Sequence, residues 1–196
     1  MKLLNYALVL ATTACIAGNA LAADKFVIDK VHSSIGFSVK HLMVSTVRGN
    51  FTDFMGEIML DSADMTKSSV MVTIKTASIN TDNEGRDNHL KSPDFFDAAN
   101  NPEITFKSSR IEKKGDGYVA YGMFMMHGVS KEIALPFTLG GPMAGQRGKV
   151  LGVDASTTIN RQDYGVKWSR TLDAGGVAVS DEVKIELNIE AGEAKM

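Results

Sequence analysis

One cysteine stands in 196 residues, Cys15, and it lies inside an apolar N-terminal run. If that run is removed, no disulfide, thiol nucleophile or thiolate metal site remains. Prolines number four against eighteen glycines, a balance that points to turns and bulges rather than disorder. Net charge is −2 and no basic tract occurs, so the electrostatic footprint of a nucleic-acid binder is missing. Aromatics make up only 7% of the chain, too few and too scattered for the girdles of an outer-membrane barrel. There is no G-x-S-x-G elbow and no H-E-x-x-H spacing, the signatures of two common enzyme classes.

The N-terminus reads as a targeting segment. Lys2 gives a minimal positive start, Leu3 to Ala17 is apolar, and Ala20-Leu21-Ala22 is a cleavage signal ahead of Ala23-Asp24. The run is short for a spanning helix. Thr12 stands where a lipoprotein signal needs leucine, three before Cys15, which argues against a lipid anchor. Residues 1–22 are therefore expected to be a cleaved signal peptide.

From Asp24 onward the chain reads mostly as strand. Ile35, Phe37 and Val39 alternate with Ser34, Ser38 and Lys40, and Val70 to Lys75 has strong β propensity. Val47 to Leu60 carries Gly49 and Gly56 as expected bends. Further strands are expected over Ile104–Ser109, Tyr118–Met126, Glu132–Leu139, Val150–Ile159 and Val183–Ile189, with 140–148 as a flexible connection. In the last strand Val183, Ile185, Leu187 and Ile189 alternate strictly with polar residues. About eight strands at hairpin spacing favour an antiparallel sandwich or closed barrel. A barrel of that size is either filled by side chains or holds one small ligand.

Thr81 to Asp97 breaks the pattern. Asp82 can cap a short turn that places Arg86, Asp87 and Leu90 on one side, with Asp87 and Lys91 spaced for an ion pair. Ser92-Pro93 reads as a second helix start. Leu90, Phe95 and Phe96 stand among charges where a plain loop would be polar, so the segment is expected to cover an apolar space.

The four histidines, His32, His41, His89 and His127, show no metal-ligand spacing. Ser33 beside His32 is adjacency, not a triad. Arg86-Asp87 and Asn160 to Tyr164 are polar clusters that either orient a head group or brace loops. Met123-Phe124-Met125-Met126-His127 offers thioethers to soft Cu(I). Only Met123 and Met125 share a strand face, and flexible methionines lining a cavity are the favoured reading.

Several stretches together resemble the YceI family of secreted bacterial lipid-binding proteins. They are Asp29 to Phe37, Val47 to Phe51, Ala77 to Thr81, Arg86 to Asp97, Pro102 to Phe106, Gly122 to Lys131 and Ile159 to Gly165. The Arg-Asp-x-x-Leu…Asp-Phe-Phe-Asp segment is the most specific, and the resemblance runs from about Asp24 to Ile189. It implies an all-β fold, an eight-stranded antiparallel lipocalin-like barrel with short helical segments covering it. It also implies a periplasmic, non-catalytic carrier of a polyisoprenoid or similar amphiphile, such as an isoprenoid quinone or fatty amide, with no cofactor. The barrel is expected over 23–190, with a short tail, 191–196, after it. Within that frame the expected lining is Phe37, Val39, Phe51, Val72, Ile74, Phe106, Tyr121, Met123 and Met125, with Leu90, Phe95 and Phe96 at the cover. Arg86, Arg161 and His41 are the head-group candidates. A lipid is the expected partner, a homodimer is left open, and neither nucleic acid nor a membrane-spanning segment is expected. A secreted copper or hydrolytic protein using the His and Met clusters is the alternative.

Overall fold

A computed structural model describes residues 23–171 and 175–194. The expected signal segment, 1–22, lies outside the described residues. Eleven strands and one helix succeed one another: β1 (Asp24–Ile28), β2 (Ser34–His41), β3 (Ser45–Phe51), β4 (Phe54–Leu60), β5 (Ser69–Lys75), β6 (Ile79–Asn80), α1 (Glu84–Lys91), β7 (Glu103–Lys114), β8 (Gly117–Met126), β9 (Val129–Gly145), β10 (Gly148–Asn160) and β11 (Val179–Glu193).

Eight of the strands close a ring in the order β1-β4-β5-β7-β8-β9-β10-β11, with β11 pairing back to β1. All pairings are antiparallel, so the ring is the eight-stranded barrel expected from the sequence. Closure matters because an open sheet of this length would leave two unpaired edges. The remaining strands extend one end: β2 pairs with β11, β3 with β2, and β6 with β3.

Between β1 and β2 the chain breaks away at Asp29–Ser33, and Ser33 repairs the ladder. Its hydroxyl donates to the Glu190 carbonyl at 3.1 Å and accepts the Glu190 N–H at 2.9 Å. Ser33 is thus a structural patch and no part of a triad. Gly49 and Gly56 do not bend the chain. They lie in regular register, and a Cβ at Gly56 would stand 2.7 Å from Ile28 Cδ1. The true break falls between the two glycines, at Thr52-Asp53, which separates β3 from β4.

Two expectations fail at the far hairpin and the C-terminus. Residues 140–148 are not a flexible connection: β9 runs to Gly145 and β10 starts at Gly148, with pairing interrupted only by a bulge between Val150 and Gly152. Glycine content misled there because backbone pairing needs no side chain. β11 likewise continues to Glu193, and Ala191 is fully buried, so the barrel runs past residue 190.

One end is plugged by Phe26, Ile58, Leu60, Leu151 and Ala191. The larger apolar cluster lies above it and includes Ile35, Phe51, Phe95, Phe106, Phe124 and Tyr164.

Candidate ligand cavity

Inside the barrel is a cavity of about 210 Å³ whose exposed wall is wholly apolar. An apolar cavity of about 150 Å³ already stays dry and accommodates benzene. The barrel strands line it with rows of aliphatic side chains, because alternate residues of a strand share a face. β9 gives Ile133, Leu135 and Phe137, and β11 gives Val183, Ile185, Leu187 and Ile189. Those two rows were absent from the expected lining, although the strict alternation of β11 was visible in the sequence.

Phe37, Val39, Phe51, Val72, Ile74 and Phe106 face the cavity, and Leu90, Phe95 and Phe96 cover it. Tyr121, Met123 and Met125 do not. On β8 the inward set is Ala120, Phe124 and Met126, and Phe124 meets Tyr164 edge-on at 5.4 Å. Met123 is 47% exposed, and Tyr121 sits under the Arg110 guanidinium at 3.7 Å on the outer surface. Both faces of β8 are apolar, so the two-residue period carried no sign there, and a one-residue error inverts every side chain.

The cover is held by aromatic contacts and by a polar brace. Phe51 touches Phe37 at 5.8 Å and Phe96 at 6.2 Å, while His89, Phe95 and Trp168 form a three-ring cluster with centroids 5.0 to 5.3 Å apart. α1 is capped by Asn83, whose side chain accepts the Arg86 N–H, one residue after the expected Asp82. Asp87 is buried and accepts both the N–H and the hydroxyl of Thr81. It is thereby drawn away from Lys91, and the expected ion pair is not among those formed by the described residues. Ser92 closes the helix rather than starting another.

The head-group candidates are placed differently from expectation. Arg86 braces the same loop, donating to Thr81 Oγ1 and to the Thr81 carbonyl, each at 2.7 Å. Arg161 does border the cavity but is only 4% exposed. Its guanidinium donates to the carbonyls of Ser180, Val166, Trp168 and Val179 and to Asp181 Oδ1, at 2.7 to 3.3 Å. Five N–H groups make five bonds, so none is left for a ligand. Burial pulls its pKa down, opposed by Asp181. His41 ends β2 beyond Val39, outside the cavity wall.

Among the described residues one group has metal-ligand proximity: Asp29, His32 and Glu190. His32 Nδ1 lies 2.8 Å from Asp29 Oδ2 and 3.7 Å from Glu190 Oε1, at the surface. The hydrogen bond to Asp29 raises the His32 pKa. His127 Nδ1 lies 3.1 Å from the Tyr164 carbonyl oxygen.

Known proteins share this fold. The YceI-like domain model matches residues 26–191. The chain belongs to the YceI-like family. This YceI-like chain is 39% identical over 175 residues to UPF0312 protein SERP2314 of Staphylococcus epidermidis, covering 85% of the chain and 96% of that relative. The crystal structure of the Campylobacter jejuni YCEI protein superposes with a TM-score of 0.69 at 36% identity, covering 85% of this YceI-like chain and 96% of that one. A polyisoprenoid binding domain from Saccharophagus degradans shares the fold, with a TM-score of 0.62 at 14% identity over 88% of the chain and 99% of that domain.

Proposed function

We propose that the protein is a periplasmic, non-catalytic carrier that holds the chain of a polyisoprenoid or similar amphiphile in the barrel. The observation that carries this reading is the apolar exposed wall of the cavity inside the barrel. Such a wall offers nothing for acid–base or nucleophilic work, whereas each buried CH₂ contributes roughly 0.8 kcal/mol to the binding of a hydrocarbon. Membership of the YceI-like family supports a binding protein rather than an enzyme, and the polyisoprenoid binding domain of the same fold supports the ligand class. With all five Arg161 donors engaged in bracing, the cavity wall presents no free cation among the described residues, and recognition inside the barrel rests on chain shape.

The test is mass spectrometry of an organic extract of the mature protein, beside Ile185→Glu, which puts a carboxylate on the cavity wall. A stoichiometric polyprenyl or quinone-like species that the variant lacks supports the reading. An empty wild-type extract, together with no saturable uptake of a polyprenyl alcohol from detergent micelles, would overturn it.

A further inference from the structure

The tip of the β2–β3 hairpin carries three apolar residues into water. Leu42, Met43 and Val44 are 38%, 64% and 82% exposed. Leu42 and Met43 both hold positive φ, 51° and 64°, where hairpin turns usually place Asn or Gly. Apolar residues thus occupy an unfavourable backbone conformation without a compensating place in the core.

The tip is joined to one end of the cavity. Val39 on β2 lines the cavity, as does Val179, which pairs with His41. The Leu42 N–H donates to the Ala178 carbonyl at 2.9 Å, bringing Val177, 36% exposed, alongside. Apolar surface therefore continues from the cavity wall to the outermost turn.

Among the described residues the charges around the tip are mostly cationic, with Asp181 and the exposed Glu182 of β11 as the carboxylates beside Lys40. Lys40 alternates with Val39 and so points outward, and Arg48 pairs opposite Ser38 on that outer face. The Arg170 carbonyl accepts the Ala178 N–H at 2.9 Å, and Lys167 precedes Trp168 in the same loop. Lys40, Arg48, Lys167 and Arg170 are all exposed. None has a carboxylate within 4 Å among the described residues. Asp181 is engaged by Arg161 and Gln162. On a chain of net charge −2, this is a local reversal of sign.

We propose that this tip docks the protein on an anionic lipid surface, with Leu42, Met43 and Val44 below the head groups and the four cations against phosphates. An apolar wedge with a basic rim is what interfacial attachment requires. The inference rests on the carrier reading: an amphiphile dissolved in a bilayer reaches the cavity without crossing water only if a cavity end sits against the lipid.

The test is co-sedimentation of the mature protein with vesicles of phosphatidylcholine alone or mixed with phosphatidylglycerol. Binding is expected to the mixed vesicles and to weaken with salt. The double variant Met43→Asp, Val44→Asp should lower partitioning roughly tenfold or more, and Lys40→Glu, Arg48→Glu should remove the preference for phosphatidylglycerol. All four side chains face solvent, so uptake of a polyprenyl alcohol from detergent micelles should stay at the wild-type level. Wild-type protein left in the supernatant, or tip variants that pellet as well as wild type, would overturn the docking proposal. A lipid-free dimer abolished by Met43→Asp would give the tip to a second copy and overturn it as well. Failure of micelle uptake in wild-type protein whose organic extract is also empty would instead sink the carrier reading, leaving the vesicle data to decide docking alone.

Discussion

The rings of Phe95 and Trp168 face each other with centroids 5.1 Å apart and planes tilted by 34°. Phe95 belongs to the cavity cover and Trp168 to the loop after β10, so this contact joins the two segments that close one end of the barrel. Trp168 is also the only tryptophan in the chain, which makes it a reporter of the cover. Titration with a polyprenyl alcohol should shift its emission to shorter wavelength in a saturable way, as the cover packs more tightly over the bound chain. Phe95→Ala should weaken that response. An unchanged spectrum during proven uptake would place the entry route elsewhere.

The two faces of β8 should respond in opposite ways. Met123→Glu lies on the outer surface and is expected to change stability by no more than about 0.5 kcal/mol and to leave lipid retention intact. Phe124→Ala empties a packed position against Tyr164 and should cost about 3 to 5 kcal/mol. Urea denaturation beside an extract measurement checks both, and loss of lipid in Met123→Glu would refute the face assignment.

Arg161→Met should be among the most damaging single changes. It leaves four backbone carbonyls without their donor, and one partner removed from a buried network costs about 3 to 5 kcal/mol. Hydrogen exchange should rise first in the segments it ties, around Val166–Trp168 and Val179–Asp181. Protection equal to wild type would show that the clamp is dispensable.

The Asp29–His32 pair predicts a pH dependence of definite sign. The His32 pKa is raised above 6.5, first by its hydrogen bond to Asp29, so its contribution is full below 6.5 and is lost as pH rises through the folded value. Asp29 is depressed below 3.8, mainly by the same bond, so its contribution is present above 3.8 and lost as pH falls through the folded value. The stability gap between wild type and His32→Asn should therefore narrow as pH rises from 6.5 through the raised folded value. A gap that widens on raising pH would contradict the pairing.

Single residues show where the sequence was a sufficient guide. Ile35, Phe37 and Val39 alternate with polar neighbours, so their inward face could be read directly. Leu90, Phe95 and Phe96 stood out because apolar residues among charges have no reason to lie on an ordinary loop. β8 resisted the same treatment because Tyr121, Met123 and Met125 are as apolar as Ala120, Phe124 and Met126. Arg161 looked available because a sequence does not show carbonyls converging from residues 166 to 180.

Strand content, the segment that covers the cavity and the family were all legible along the chain, because side-chain period and local composition are properties of sequence neighbours. Which face of β8 looks inward, and which arginine donors are already taken, became readable only in the closed barrel. The same holds for Leu42, Met43 and Val44, which end beside the cavity in a cationic surround. Those are relations between residues far apart in sequence, set when β11 pairs with β1 and β2 to close the barrel.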